Sequence, residues 1–97
     1  MPVQESLSPS VTEAARLFHF LGDPGRLRLL LLLSDRDEVC VGELVEAVGL
    51  AQPTVSNHLQ GLRLVGLVGC RREGRRVFYR LNSPLVSELL ERVGVKA

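Results

Sequence analysis

Apolar residues recur at helical spacing through Val11, Ala14, Ala15, Phe18 and Leu21, with polar residues between them. Ser10-Val11-Thr12-Glu13 at the front has the capping-box pattern, a Ser followed three residues later by Glu. The pattern predicts a first helix that opens at Ser10 and closes near Gly22. Residues 1–9 hold no apolar run and read as a flexible tail. Asp23-Pro24 restarts a helix, with Asp23 as cap and Pro24 in its first position. Leu27, Leu30, Leu31 and the neighbouring leucines make this second helix apolar nearly all round, which predicts a buried central helix. Ser34 to Glu38 is polar and reads as a loop, and Val39-Cys40-Val41 as a brief strand.

Glu43 to Val48 gives one or two further helical turns, stopped by Gly49. Leu50-Ala51-Gln52 is a tight link to a helix with Pro53 in its first turn, running to about Val65 and ended by Gly66. Two short helices joined by a tight turn with Gly form the helix-turn-helix signature. Leu67 to Arg72 and Arg75 to Leu81 are β-prone runs separated by Glu73-Gly74, so a hairpin follows. In its second run Val77, Tyr79 and Leu81 alternate with Arg76, Phe78 and Arg80. Asn82-Ser83-Pro84 caps a last helix carrying Leu85, Val86, Leu89, Leu90 and Val93. The fold expected is mainly α with a small β-hairpin wing, a winged helix-turn-helix in a single domain over 1–97. No internal repeat or linker divides it.

Composition narrows the function classes. With 45% hydrophobic and 24% charged residues, the chain is neither disordered nor of low complexity. The longest apolar stretch, Leu29 to Leu33, is far shorter than the ~20 residues that span a bilayer, so no membrane is expected. Met1 to Ser10 has no basic residue and does not read as a secretory signal. Two cysteines make no disulfide scaffold, and a cytoplasmic setting is the simpler expectation. The formal net charge of +1 conceals an asymmetry: residues 1–50 carry four Arg against eight Asp and Glu, and residues 51–80 carry six Arg against one Glu. A neutral chain with one basic segment is distributed as a nucleic-acid binder is.

The chain resembles the ArsR/SmtB family of small bacterial winged helix-turn-helix repressors. The residues that carry the resemblance are Leu21-Gly22-Asp23-Pro24 with Arg26, Glu43-Leu44, Gln52 to Leu59, Leu62-Arg63, Gly66-Leu67-Val68, and Arg72-Glu73-Gly74-Arg75 through Tyr79. The match covers about residues 14–91. It implies a DNA-binding regulator, and the physics of the motif agrees, because the second helix of such a unit enters the major groove with its first residues at base edges.

Those residues are Gln52, Thr54, Ser56, Asn57 and Gln60. Gln and Asn amides pair with adenine, and Ser and Thr hydroxyls serve bases or phosphates. Gln52 and Ser56 have a plainer alternative, as caps or water-facing residues. Val55, Leu59 and Leu62 fall on the opposite face and are expected in the core. His58 is either close to DNA or a half-buried histidine with one hydrogen bond. Arg71, Arg72, Arg75 and Arg76 surround the hairpin tip and suit phosphates or a narrow minor groove. Val11, Ala14 and Phe18 on the first helix, and Leu85, Leu89 and Val93 on the last, form apolar faces that a core of this size has little room to cover. A homodimer on these faces, which the resemblance also implies, would read a pseudo-palindromic double-stranded operator with half-sites about 34 Å apart.

The resemblance also implies a sensor, usually of a metal or a thiol state. One family metal site uses Cys-Val-Cys where this chain has Cys40-Val41-Gly42. Another uses Asp and His on the last helix, yet Asn82 to Leu90 has neither, and a third puts cysteines where Gly61 and Val65 stand. No inherited metal site is intact, and no cofactor is expected. Cys40 and Cys70 are candidates for a thiol switch, with burial as small hydrophobes the alternative. Ala51 stands where the family often has a Ser cap. No nucleophile–base pair or phosphate-cradling loop points to an enzyme. The reading is therefore a dimeric repressor released by a chemical signal; the alternative is a winged-helix module for protein–protein contact.

Overall fold

Proline and glycine at the ends of its helices set the course of this chain. A computed structural model describes the backbone of residues 2–95 and the side chains of residues 10–95. The elements are α1 (Pro2–Leu21), α2 (Pro24–Ser34), β1 (Val39–Cys40), α3 (Val41–Val48), α4 (Gln52–Leu64), β2 (Val68–Glu73), β3 (Arg76–Leu81) and α5 (Pro84–Val93). Met1, Lys96 and Ala97 of the domain expected over 1–97 lie outside the described residues.

The first helix does not open at Ser10. Its backbone is helical from Pro2, so the stretch expected as a tail over 1–9 is, from residue 2 on, the start of α1. Ser10 then has nothing to cap, because amides inside a helix already bond the carbonyl four residues back. Pro9 withholds one such bond without ending the helix.

The corner after α1 is closed by Leu21-Gly22-Asp23-Pro24 and Arg26. Asp23 caps α2, its Oδ2 accepting from the Arg26 amide at 3.0 Å, and Pro24 follows at the first helical position. Arg26 reaches back to α1. Its Nε donates to the Phe20 carbonyl at 3.0 Å and its Nη2 to the His19 carbonyl at 3.1 Å, while the guanidinium lies 4.9 Å over the Phe20 ring. Carbonyls that a helix C-terminus leaves without partners are satisfied there by a cation, which the helix dipole also favours.

Leu29, Leu30, Leu31 and Leu33 of α2 are buried, with Leu27 and Leu32 packed partly against them, which is the central helix the pattern predicts. Leu44 and Val48 of α3, Val55, Leu59 and Leu62 of α4, and Val86 and Leu90 of α5 complete the helical part of the core. Gly49, with φ of 70°, ends α3 in the left-handed conformation, and Leu50-Ala51 leads into α4. The end of α4 is a Schellman turn. The Gly66 amide bonds the Arg63 carbonyl and the Leu67 amide bonds the Leu62 carbonyl, both at 3.0 Å, with Gly66 at φ of 82°. No helix among the described residues is long and apolar enough to cross a membrane.

The three strands form one antiparallel sheet in the order β1-β3-β2. β1 takes only Val39 and Cys40, since Val41 already opens α3. The hairpin register runs from Val68 opposite Leu81 to Glu73 opposite Arg76, so the loop is Gly74-Arg75 rather than Glu73-Gly74. Gly74 has φ of 61° and Arg75 does not share the positive φ, which places glycine at the first central position, where a two-residue II′ loop needs it. Tyr79 is buried, and Val77 and Leu81 pack on the core. Phe78 belongs to the other face, between the guanidiniums of Arg71 and Arg76 at 4.6 and 5.1 Å from its ring centre.

Candidate nucleic-acid interface

α4 presents three faces. Val55, Leu59 and Leu62 are buried, as their spacing predicts. Gln52, Ser56, Gln60 and Arg63 recur at helical intervals on a second face and line a cleft between α4 and the wing. Thr54 and Asn57 are exposed outside that cleft, on the free side of the helix. Ala51 is the N-cap and supplies no side-chain hydrogen bond, so the first amides of α4 are not capped by a side chain.

The wing supplies the opposite wall. Arg72, Arg75, Arg76, Val77, Tyr79 and Cys70 line it. Among the described residues no Asp or Glu lines the cleft. Among the described residues, Arg63, Arg72, Arg75 and Arg76 make no ion pair, in contrast to Arg36 with Glu43 and Arg71 with Glu38 and Glu73. Tyr79 registers this setting. Burial pushes its hydroxyl pKa up, the Cys70 thiol adds to that, and the charges of Arg63 and Arg72 oppose it. The result is a groove of uncompensated guanidiniums, hydroxyl and amide groups, whose chemistry suits a polyanion with hydrogen-bonding edges. Arg63, which is not among the base- or phosphate-facing residues expected from the sequence, extends the helical stripe of Gln52, Ser56 and Gln60, and that spacing is its sequence signal.

Two expected members are elsewhere. His58 is half-buried, and its Nε2 lies 3.6 Å from Asp23 Oδ2, so it packs against the start of α2 rather than joining the cleft. The Asp23 carboxyl is held below the usual carboxylate range, first by the Arg26 amide and then by the charges of Arg26 and His58. Arg71 faces away from the cleft. Its guanidinium is taken by Glu38 and Glu73 at 2.7 and 3.0 Å.

The two cysteines both border the cleft but stand on either side of β3, Cys40 opposite Phe78 and Cys70 opposite Tyr79. Cys40 donates to Glu43 Oε1 at 3.4 Å and its Sγ accepts from Arg76 Nη2 at 3.6 Å. Glu43 is held below the usual carboxylate range, first by Cys40 and then by Arg36. Among the described residues no three His, Cys, Asp or Glu side chains gather in an arrangement that could hold a metal ion.

The apolar residues expected at an interface lie on the surface. Val11 is 63% exposed, Phe18 64%, Leu85 52% and Val93 70%; Ala14 is exposed too, and Leu89 is half-buried. Leu64 of α4, at 88% exposure, is a further exposed apolar residue, outside the faces expected on α1 and α5.

Comparison with known proteins places these features. The family model described as "Bacterial regulatory protein, arsR family" matches residues 23–69. An HTH-type transcriptional regulator of Methanocaldococcus jannaschii is 37% identical over 84% of this chain and 91% of its own length. Of two other curated relatives the chain spans 56% and 59%. The transcriptional repressor BigR from Xylella fastidiosa is 34% identical and superposes with a TM-score of 0.80 over 97% of this chain and 98% of BigR. A homodimeric winged helix-turn-helix DNA-binding domain from Mycobacterium bovis is 35% identical, with a TM-score of 0.79 over 89% of this chain and 79% of that one.

Proposed function

Because the chain belongs to the arsR family of bacterial regulatory proteins, transcriptional regulators and not enzymes, we propose that it is a homodimeric, sequence-specific DNA-binding repressor of the cytoplasm. The observation that carries this reading is the cleft between α4 and the wing, where among the described residues Arg63, Arg72, Arg75 and Arg76 make no ion pair and no carboxylate joins the lining. In this reading α4 enters the major groove. Thr54, Ser56, Asn57 and Gln60 meet base edges, while the arginines hold phosphates. The exposed faces of α1 and α5 join two copies, and a pseudo-palindromic operator with half-sites about 34 Å apart follows from the twofold axis. The M. bovis domain, described as homodimeric, and BigR, described as a repressor, support the assembly and the sense of regulation.

Release by a chemical signal completes the reading, with no resident cofactor. Cys40 Sγ is in contact with Arg76 in the wing. A peroxide that oxidises the Cys40 thiol to a sulfenic acid, and is itself reduced to water, would change the partner of a phosphate-binding arginine.

The test is fluorescence anisotropy of the full chain on duplexes selected from a random-sequence pool, with reductant and chelator present, across a salt series. One dimer per site, with binding that weakens steeply as salt rises, is the expected result. Binding that is equally weak on every duplex and indifferent to salt would return the chain to the alternative of a protein-contact module.

A further inference from the structure

Arg71 is the one wing arginine that carries an ion pair among the described residues, and the way it is held crosses the whole sheet. It stands opposite Phe78 on β3. Glu38 immediately precedes β1, whose Val39 stands opposite Tyr79, and extending that register brings Glu38 level with Arg80. Glu38, Phe78, Arg80 and Arg71 therefore share the outer face. Arg71 Nε donates to Glu38 Oε2 at 2.7 Å, passing over the central strand, and Nη1 donates to Glu73 Oε2 at 3.0 Å beside the tip. Beneath it the Phe78 ring lies 4.6 Å away.

We infer that Arg71 is a positioning residue for DNA binding: through Glu38 it straps the hairpin to the strand that leads into the helix-turn-helix, and so fixes the angle at which Arg72 and Arg75 are presented. This rests on the reading of the wing as a phosphate-binding element. β1 pairs with β3 only at Phe78 and Tyr79, so the hairpin beyond them is two strands alone. A two-stranded hairpin is marginally stable by itself in water. The strap ends at Glu73, next to the loop, where the leverage is greatest. Arginine suits the task because its planar fork holds two carboxylates while lying flat on a ring, which a lysine ammonium cannot do. The triad of one guanidinium and two carboxylates is itself net negative, so attraction of phosphate does not explain it. Exposed ion pairs add little to global stability, so the strap acts on orientation and not on whether the chain folds.

The experiment uses the full chain and a fluorescein-labelled duplex selected by the wild-type protein, with anisotropy measured over a salt series. Glu38→Gln removes a negative charge near the nucleic acid, so charge alone predicts tighter binding and, with Arg71 freed for a phosphate, a steeper salt dependence. The strap predicts the opposite. Affinity falls roughly tenfold, as a binding element loses its preorganisation, the salt slope stays at its wild-type value, and the Gly74 amide at the tip gains mobility in ¹⁵N relaxation. Arg71→Lys keeps the charge but not the fork, and is expected to lose as much affinity. Tighter or unchanged binding by Glu38→Gln, or wild-type affinity in Arg71→Lys, overturns the inference. A wild-type chain with no salt-dependent binding to any duplex overturns the reading of the wing, and this inference with it.

Discussion

Cys40 and Cys70 lie in one sheet with a whole strand between them: Cys40 is opposite Phe78, Cys70 is opposite Tyr79, and both partners belong to β3. Two strand spacings of about 4.8 Å put their Cα atoms close to 10 Å apart, beyond the ~7 Å that a disulfide bridges. Consecutive partners on β3 also place the two side chains on opposite faces. An oxidant is therefore expected to leave no Cys40–Cys70 bond within a chain, and mass mapping after diamide treatment checks this. An intrachain Cys40–Cys70 peptide would show that β2 or β1 leaves the sheet. In the proposed thiol release a single cysteine would carry the signal, and Cys40→Ser, at the residue in contact with Arg76, is expected to abolish release by peroxide while Cys70→Ser keeps it.

Asp23 links stability to acid. Its carboxyl titrates below the ordinary range, first because of the Arg26 amide. A carboxylate with a lower pKa in the folded chain contributes stability that is complete above its unfolded pKa of about 3.9, and that is lost as pH falls through the folded value. Asp23→Asn keeps a capping oxygen but not the charge. Urea unfolding should find it less stable than wild type at pH 7, with the gap closing below about pH 4. A gap of equal size at pH 3 would remove the carboxylate charge from the account.

The uncapped start of α4 is an opportunity to stabilise the chain. Ala51 already has the extended backbone of an N-cap, with φ of −62° and ψ of 145°. Ala51→Ser is expected to raise the unfolding free energy by ~1 kcal/mol through a hydrogen bond to the first turn. Equilibrium denaturation measures it, and no gain would mean that the turn from α3 holds residue 51 out of reach.

Two cleft-region substitutions should separate positioning from reading. Arg75→Ala is expected to weaken binding to all duplexes and to lower the salt slope by about one unit. Asn57→Ala is expected to cost about 1–3 kcal/mol on the selected duplex and little on random DNA. Equal losses on both would make Asn57 a backbone contact.

Phe18 tests assembly. Phe18→Asp puts a charge on an exposed apolar face of α1 without touching the buried cluster. Sedimentation should shift from dimer to monomer, with the melting temperature of the monomer fold as a control. A persistent dimer would move the interface off this face.

Local chemistry accounts for what could be read from the chain. Asp23-Pro24 and Ser83-Pro84 cap α2 and α5 as their order predicts. Val55, Leu59 and Leu62 face inward because helical spacing leaves them no other face to share. The start of α1 is not legible at Ser10, because a capping box has meaning only at a helix terminus and the helical backbone already runs from Pro2. The hairpin loop lies one residue later than the sequence suggests, because Gly74 fits either position and only pairing of Glu73 with Arg76 decides. Arg71 looked like Arg72 for a deeper reason. Which face each takes depends on strand parity, and its partner Glu38 is 33 residues away in sequence. His58 was ambiguous until α2 was brought beside α4.

Arg26 ties the end of α1 to the first turn of α2 with two hydrogen bonds and a ring contact. Asp23 at the same bend meets His58 on α4. The corner between α1 and α2 thus touches α4 through the side chains of Asp23 and His58, neither of which belongs to the buried core.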